Sequence, residues 1–285
     1  MIFQTLRHFI TDVRDRQRIA IALAKGAVAL QSRRVVLSDP ASWEFSAFSQ
    51  NGEDGILHTL RSQLRTSNRY FAEIAAADGI ENNTAWLAIA EKYDGLMIEG
   101  SRHLSKRGQR LIQRDLNIGV RCEQMFVTRS SASAVRSLMT CLDPDVFSLD
   151  IDGNDYYVAR ALWAEGIRPK IWVVEYNAVF GPTRAVTVKY RDDFTIDAHP
   201  SRLYYGVSIA AWRNFFAAIG YRFVSVDRHG VNAFFVDPAQ FGAEFLDGLR
   251  GTSFVENIYQ LTKFGAPSEV QFRLIEHLEL EPVKA

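Results

Sequence analysis

The stretch YRFVSV-DRHG-VNAFFV, residues 221–236, decides the fold because two apolar segments flank a very short connection. The predicted strands are Tyr221–Val226 and Val231–Val236, and Asp227-Arg228-His229-Gly230 joins them. A connection this short makes only an antiparallel hairpin, since a parallel return needs a crossover of a dozen or more residues. The sheet is therefore expected to end in a reversed strand.

Upstream of the hairpin, short apolar segments alternate with helical stretches, the pattern of a parallel sheet covered on both faces. The predicted strands are Tyr70–Ala75, Gly95–Glu99, Gly119–Val127, Asp145–Asp150 and Ile171–Glu175. Helical periodicity occurs at Thr84–Lys92, Leu104–Leu116, Ala132–Cys141, Tyr157–Glu165 and Ser208–Ile219. We predict a doubly wound, Rossmann-like α/β sheet with a terminal antiparallel hairpin, the layout of class I S-adenosylmethionine methyltransferases. A dinucleotide dehydrogenase sheet would continue with parallel strands.

Composition restricts the function classes. The 285 residues are 47% hydrophobic and 23% charged, which fits one large globular domain with extensions and excludes disordered or collagen-like chains. Basic and acidic residues both number 33, so the net positive field that drives nucleic-acid binding is missing and no nucleic-acid partner is expected. Cys122 and Cys141 form no Cys-x-x-Cys motif, which indicates free thiols in a reducing compartment.

Three regions are predicted along the chain: an N-terminal helical extension (1–45), a methyltransferase-like α/β domain (46–250) and a C-terminal helical tail (251–285), with two helices after Pro238. Thr5–Leu30 is interpreted as an amphipathic helix that packs on the domain or on a partner, as in self-association. An interfacial membrane helix is the alternative. Lys25 interrupts the apolar run, so neither a signal peptide nor a transmembrane segment is predicted.

A segment without periodicity, residues 180–205, follows the fifth predicted strand and is rich in polar and aromatic residues. Structureless segments of this length are usually functional or mobile. Its position places it over the carboxyl edge of the sheet, where open α/β folds bind ligands. We interpret it as a substrate cap.

The first chemical motif, Glu73-Ile74-Ala75-Ala76-Ala77-Asp78-Gly79, joins the first strand to a helix, where a cofactor can approach the backbone closely. Glu99 ends the second strand about 20 residues later, where a carboxylate can accept hydrogen bonds from ribose hydroxyls. That spacing fits a nicotinamide or an adenosylmethionine cofactor, and the hairpin favours the second. A solvated strand end is the structural alternative for Glu99.

The second motif, Phe48–Leu57, is polar and precedes the first strand. Gln50 and Glu53 are predicted to reach the methionine end of the cofactor, whereas a helix N-terminus capped by Asn51 is the structural alternative. The complete predicted cofactor site is Gln50, Glu53, Glu73, Asp78, Asn83, Glu99, Ser101, Val127 and Asp150.

The third motif, Leu149–Tyr156, ends the fourth strand, and Glu175-Tyr176-Asn177 ends the fifth. Adjacent strands would bring Asp152, Glu175 and Asn177 together, and oxygen ligands without histidine or cysteine suit Mg²⁺ or Mn²⁺. An EF-hand is disfavoured because the twelfth position counted from Asp150 is not glutamate. Acidic residues that cap the following helix are the remaining alternative.

The chain resembles the FkbM-type methyltransferases over Phe48–Val236. Six segments carry this resemblance in the same order along the chain: Ser49–Leu57, Phe71–Thr84, Leu96–Gly100, Leu149–Tyr156, Val173–Pro182 and Gly230–Val236. The resemblance implies a cytoplasmic S-adenosylmethionine-dependent O-methyltransferase that acts on a saccharide or other small molecule. The acidic motif is also similar to that of metal-dependent macrocin-type sugar O-methyltransferases. That likeness implies Asp152 as a metal ligand and Asn154 or Asp155 near the position of the base.

One departure from the family pattern is Ala75 and Ala77, where the family has glycines. Alanine fits there if φ is negative and the cofactor lies slightly farther out. Asp155, Lys189 and His199 are the candidate bases, with exposure on loops as the alternative for the last two. The competing functions are a catalytically degenerate methyltransferase-fold binding protein, suggested by the alanines, and a nicotinamide oxidoreductase, which the hairpin disfavours.

Overall fold

The computed structural model describes residues 2–284, with side chains from residue 11 onward. Met1 and Ala285, the outer ends of the predicted extension and tail, lie outside the described residues. The helices are α1 Ile2–Ser32, α2 Glu53–Arg61, α3 Ala85–Ile89, α4 Arg102–Gly108, α5 Ala132–Leu138, α6 Asp155–Ala164, α7 Ile209–Ala218, α8 Ala243–Gly248, α9 Ile258–Phe264 and α10 Ser268–Phe272. The strands are β1 Tyr70–Ile74, β2 Asp94–Glu99, β3 Val120–Gln124, β4 Val146–Leu149, β5 Ile171–Glu175, β6 Val186–Val188, β7 Arg222–Val226, β8 Asn232–Val236 and β9 Leu280–Pro282.

The main sheet has seven strands in the order β3-β2-β1-β4-β5-β8-β7. Strands β1 to β5 pair in parallel, and β8 is antiparallel to both of its neighbours, β5 and β7. The predicted fold class is confirmed: a doubly wound, Rossmann-like α/β sheet that ends in an antiparallel hairpin. The long N-terminal helix is also present as α1.

The hairpin turn is held by one carboxylate. Asp227 accepts hydrogen bonds from the backbone N–H groups of His229 and Asn232, and Gly230 adopts a φ of 72°. Glycine reaches this left-handed conformation without a Cβ clash. The turn chemistry visible in the sequence therefore sets the reversal of the last strand.

Two apolar cores cover the faces of the sheet. On one face, α1 contributes Ile19 and Ala22 to a core that also contains residues of α2 and α3. On the other face, residues of α5, α6 and α7 surround the aromatic side chains Trp172 and Phe235. Helix α1 therefore packs on the domain. Within residues 2–284, no helix combines the length and the apolar character needed to cross a bilayer.

Two elements differ from the sequence prediction near the third strand. The strand ends at Gln124 rather than at Val127. The helix predicted over Leu104–Leu116 begins as α4 and continues as a π-helical segment, Gln109–Leu116. A π-helix is rare and has i→i+5 hydrogen bonds, and an apolar pattern over eight residues is too short to distinguish it from a continuing α-helix.

The segment 180–205 is not structureless, contrary to the prediction. It contains β6, which pairs with β9 near the C-terminus, and a small core that includes Phe180, Phe194 and Ile275. The predicted tail of two helices after Pro238 is in fact α8, α9, α10 and β9. The order of the segment depends on partners about 90 residues away in the chain, which local periodicity does not reveal.

A buried ion pair holds the amino edge of the sheet. Lys170 Nζ lies 2.7 Å from Asp145 Oδ1, and both side chains are almost fully enclosed. Lys170 Nζ also donates to the backbone oxygen of Thr66, while Asp145 accepts from the backbone N–H groups of Asn68 and Arg69. The pair therefore joins the loop before β1 to the starts of β4 and β5.

Replacing Lys170 with methionine is expected to lower the free energy of unfolding by roughly 3–5 kcal/mol, because it leaves the Asp145 carboxylate buried and unpaired. Denaturant titration measures this. The matched control is Lys189→Met, which removes a similar 2.8 Å contact to Glu279 from the exposed surface and should leave stability unchanged. Equal effects of the two changes would contradict the assignment.

Candidate functional site

A cleft lies where the strand order reverses, between β1 and β4, which is the position at which open α/β sheets bind ligands. It consists of two adjoining cavities of about 330 Å³ and about 140 Å³, which we call the Glu99 cavity and the Glu73 cavity. Ala75, just after β1, and Asp150, just after β4, line both cavities. The two cavities therefore form one continuous cleft at the carboxyl edge of the sheet.

Most of the predicted cofactor residues line this cleft. The Glu99 cavity is lined by Glu99, Ser101, Val127 and Asp150, and the Glu73 cavity by Gln50, Glu53, Glu73, Asn83 and Asp150. The structure thus brings eight of the nine predicted side chains to one place, although their binding roles stay predictions.

Asp78 is the exception. Its carboxylate faces α1 and α4, with Oδ2 at 3.2 Å from Arg107 Nη1 and 3.7 Å from Arg18 Nη1. Its other oxygen accepts from the backbone N–H of Ile80. Asp78 therefore anchors the N-terminal helix and does not line the cleft. The sequence placed it beside a strand end but contained no information about which way the loop would turn.

Glu99 connects the loops that follow β1 and β2. Its Oε2 accepts from the backbone N–H of Ala77 at 2.9 Å, and its Oε1 accepts from that of Ser101 at 2.7 Å. The side chain is half-buried at the cavity wall. Each carboxylate oxygen has a second lone pair, so Glu99 can still accept hydrogen bonds from a ligand.

The Glu73 carboxylate is hydrogen-bonded to the residues that precede α3. It accepts hydrogen bonds from the backbone N–H groups of Asn83 and Thr84 and from the Thr84 hydroxyl, so it holds the start of α3. Burial raises the pKa of Glu73 to about 7. Glu73 therefore fixes the loop that leads into α3 and also forms part of the cavity wall.

The acidic residues after β4 and β5 converge. Ligand oxygens of Asp150, Asp152 and Glu175 all lie within 4.8 Å of one another. Asp150 and Glu175 are hydrogen-bonded through their carboxyl groups, and burial, reinforced by the neighbouring carboxylates, raises the pKa of both well above the usual range. Asp152 is more exposed and has a φ of 54°, a strained conformation for a residue with a side chain. We call these three residues the acidic cluster.

Asn177, the third predicted metal ligand, does not belong to the acidic cluster. Its Nδ2 donates to the backbone oxygens of Leu203 and Tyr205, and its Oδ1 accepts from the backbone N–H of Val179. The side chain is completely buried and fixes the ordered segment 180–205 to the end of β5. Asp150 takes its place near Asp152 and Glu175.

The three candidate bases lie away from the cleft. Asp155 is buried at the start of α6 and accepts from the backbone N–H groups of Ile151 and Gly153. Lys189 pairs with Glu279, and His199 Nδ1 lies 2.8 Å from the Ser201 hydroxyl. The Asp155 carboxylate thus holds the loop that precedes α6, and the helix has no side-chain cap, so the capping alternative considered for the acidic motif does not describe Asp155. Neither Lys189 nor His199 lines either cavity.

Sequence reasoning missed Asn232 and Phe126. Asn232 pairs with Glu175 in the β5–β8 register, and its Nδ2 donates to Glu53 Oε1 at 2.8 Å. Its Oδ1 is buried without a hydrogen-bond partner and belongs to a side chain that lines the Glu73 cavity. Phe126 is 59% exposed and lines the Glu99 cavity. The hairpin was a signal for Asn232, but its register was not readable from the sequence.

The charged side chains known to line the cleft all have the same sign. Among the side chains that the structure describes, no lysine, arginine or histidine lines the Glu99 or the Glu73 cavity, whereas carboxylates line both. Buried carboxylates are costly unless a proton, a cation or a hydrogen-bond donor compensates them. The site therefore favours a ligand that brings positive charge.

The backbone after β1 adopts the conformation of glycine despite its alanines. Ala75 has a φ of 66° and Ala77 a φ of 50°, so the negative φ at which alanine would fit without strain is not adopted. The loop is held by the Glu99–Ala77 hydrogen bond and by a bond from the Ala76 N–H to the Ile98 oxygen. A left-handed conformation costs a residue with a Cβ about 1–2 kcal/mol.

We expect Ala75→Gly and Ala77→Gly to leave the free energy of unfolding unchanged or to raise it by up to about 1 kcal/mol, because relief of the left-handed strain exceeds the added backbone entropy of glycine. Ala76→Gly is the control. Ala76 is buried and is not among the residues with positive φ, so this change should destabilise the chain. Thermal unfolding compares the three, and destabilisation of all three to the same degree would exclude the strain.

Burial of Glu73 should make stability depend on pH. Its pKa is about 7 in the folded chain and near 4.5 in the unfolded chain, so the folded state retains a proton that the unfolded state loses. The contribution of Glu73 to the free energy of unfolding is therefore greatest below pH 4.5 and falls by roughly 3 kcal/mol as the pH rises through 7, at 1.36 kcal/mol per pKa unit. Denaturant titrations of Glu73→Gln should show a shallower fall over this range. An unchanged slope would refute the assignment.

Among the proteins with which the chain was compared, only solved structures are similar to it. No family model matches the chain, and no curated protein matches it. An O-methyltransferase from Bacillus cereus in complex with SAH is 16% identical, with a TM-score of 0.44, over 77% of this chain and 89% of that one. A SAM-dependent methyltransferase from Aquifex aeolicus is 11% identical, with a TM-score of 0.38, over 70% and 93%. The strand order described above defines the fold independently of these likenesses.

Proposed function

We propose that the protein is an S-adenosylmethionine-dependent O-methyltransferase acting on a hydroxyl group of a saccharide or another small molecule. The observation that carries the proposal is the cleft at the β1–β4 switch point, with Glu99 at the end of β2. In open α/β sheets an acidic residue at that position accepts the ribose hydroxyls of a bound nucleoside cofactor.

The residues present fit this cofactor. The Glu99 cavity combines a carboxylate with the apolar side chains of Met125, Phe126 and Val127, a combination that suits a ribose and a flat base. The Glu73 cavity supplies the unpartnered Oδ1 of Asn232, an acceptor for an ammonium group. The sulfonium of the cofactor adds a positive charge, which the carboxylates of the cleft favour.

The proposed reaction needs little beyond positioning and a proton acceptor. When bound, S-adenosylmethionine supplies a methyl group on an electrophilic sulfonium, and the carbon–sulfur electron pair stays on sulfur. The acceptor oxygen forms the new bond to the methyl carbon and loses its proton. We assign the proton-accepting role to Asp152, because it is the more exposed member of the acidic cluster and lines the Glu99 cavity.

A divalent cation is the second part of the proposal. Three carboxylates within 4.8 Å provide the hard oxygen ligands that Mg²⁺ or Mn²⁺ prefers, and partial solvent access leaves coordination positions for water and for an acceptor hydroxyl. Asp150, Asp152 and Glu175 would hold the ion, replacing the set predicted from the sequence. A bound cation would lower the pKa of the acceptor hydroxyl.

Membership among FkbM-type methyltransferases and a cytoplasmic location belong to the same proposal and rest on the sequence resemblance. The alternative, a degenerate binding protein, was suggested by Ala75 and Ala77. Their left-handed φ values support the active enzyme, because the loop keeps the backbone path that glycines would give it. Whether the chain associates with itself through α1 remains a prediction.

Calorimetric titration with S-adenosylhomocysteine tests the proposal, and we expect micromolar or tighter binding. Glu99→Ala should weaken it by roughly 1.5–3 kcal/mol, the contribution of hydrogen bonds to a charged group. Asp94→Ala, at the opposite end of β2, is the matched control and should bind normally. No binding at millimolar ligand would contradict the proposal, and tight binding of NADH would support an oxidoreductase instead.

The same titration with Mg²⁺ tests the cation. Binding of Mg²⁺ should be detected with the unmodified chain and lost in Asp152→Asn, while S-adenosylhomocysteine still binds this variant. Equal Mg²⁺ binding by both chains would exclude the acidic cluster as the metal site.

A further inference from the structure

We propose that Arg18 of helix α1, together with Gln50, binds the carboxylate at the methionine end of the cofactor, and that Glu81 occupies this position in the unliganded chain. The inference rests on the proposed function and extends it to the N-terminal helix. It assigns to α1 a part of the cofactor site, a role that neither its sequence pattern nor the fold indicates.

The charge of the Glu73 cavity creates the need for such a residue. Four acidic side chains of the described part of the chain line this cavity, and no basic one does: Glu53, Glu73, Glu81 and Asp150. The amino-acid end of the cofactor carries both an ammonium and a carboxylate. The ammonium suits Asn232 Oδ1 and the surrounding carboxylates, but the same carboxylates repel the ligand's own carboxylate. That group has to reach a cation outside the cavity.

Basic side chains of α1 line an adjoining cavity. A third cavity, of about 450 Å³, lies between α1 and the segment before α2, and it shares Ser49, Gln50 and Glu81 with the Glu73 cavity. Arg18 and Lys25 are the basic residues that line it. The Ser49–Gln50 segment and the Glu81 side chain therefore lie between the acidic cavity and these cations.

Glu81 already holds a carboxylate between the two proposed donors. Its Oε1 accepts from Gln50 Nε2 at 2.9 Å, and its Oε2 accepts from Arg18 Nη2 at 2.5 Å. The Glu81 and Arg18 side chains are each 45% exposed, so the carboxylate can be displaced without opening the core. The ligand's carboxylate would take over the same two donors, and the released Glu81 would return to water.

Helix α1 is fixed firmly enough to present Arg18. Asp15, four-fifths of a turn earlier, is enclosed and paired with Arg107 of α4, and Ile19 and Ala22 belong to the core. Oδ2 of Asp78, on the loop after β1, lies 3.7 Å from Nη1 of Arg18. The Arg18 guanidinium is therefore positioned by Asp78 and Glu81, which both follow β1 in the chain.

The test compares two ligands that differ only at the amino-acid end. S-adenosylhomocysteine carries the carboxylate, whereas 5′-methylthioadenosine is the same adenosyl thioether without the amino-acid end. Calorimetry with Arg18→Gln should show S-adenosylhomocysteine binding weakened about 10-fold to 100-fold, with 5′-methylthioadenosine binding unchanged. Arg16→Gln removes an exposed charge paired with Asp115 on the same helix and should alter neither affinity.

Glu81→Gln provides a change of opposite sign and does not depend on the folding of the Arg18 variant. Removing the competing charge should tighten S-adenosylhomocysteine binding several-fold and leave 5′-methylthioadenosine unaffected. Equal weakening of both ligands by Arg18→Gln would overturn the inference, as would no effect on either. If the unmodified chain binds 5′-methylthioadenosine and S-adenosylhomocysteine equally well, the inference fails while the proposed function stands. If it binds neither, the proposed function fails as well.

Discussion

The site depends on one constraint: several carboxylates are buried at one edge of the sheet, in a cleft where residues 11–284 place no basic side chain. Such groups are stable only as protonated acids, beside a cation, or under hydrogen bonds from the backbone. The structure uses two of these solutions: Glu73 and Glu99 bind backbone amides, and Asp150 and Glu175 are hydrogen-bonded to each other at raised pKa. A sulfonium cofactor or a divalent ion would supply the third.

The same constraint explains why the N-terminal helix matters to the cleft. A fold that concentrates acids at the switch point has no internal partner for an anionic ligand group, so the positive charge has to come from an added element. Helix α1 brings arginine to the outer wall through its packing on the core, and Glu81 links it to Gln50. The helix is thus connected to the site by charge as well as by packing.

The strand order, the hairpin and most of the cleft-lining residues were predictable, because strand ends and tight turns have local signals. Side-chain direction was not. In the sequence Asp155 looks like a base and Asn177 like a metal ligand, yet both bind nearby backbone groups, and loop geometry determines these contacts. The order of the segment 180–205 depends on a strand near residue 280, and the left-handed alanines depend on hydrogen bonds from neighbouring loops.

The most direct test of the central claim is a crystal structure of the chain grown with S-adenosylhomocysteine and Mg²⁺. The account predicts the ribose hydroxyls on Glu99, the base beside Phe126, the amino-acid end in the Glu73 cavity and a metal ion on the acidic cluster. A ligand bound elsewhere on the molecule, with the cleft between β1 and β4 filled only by water, would contradict it.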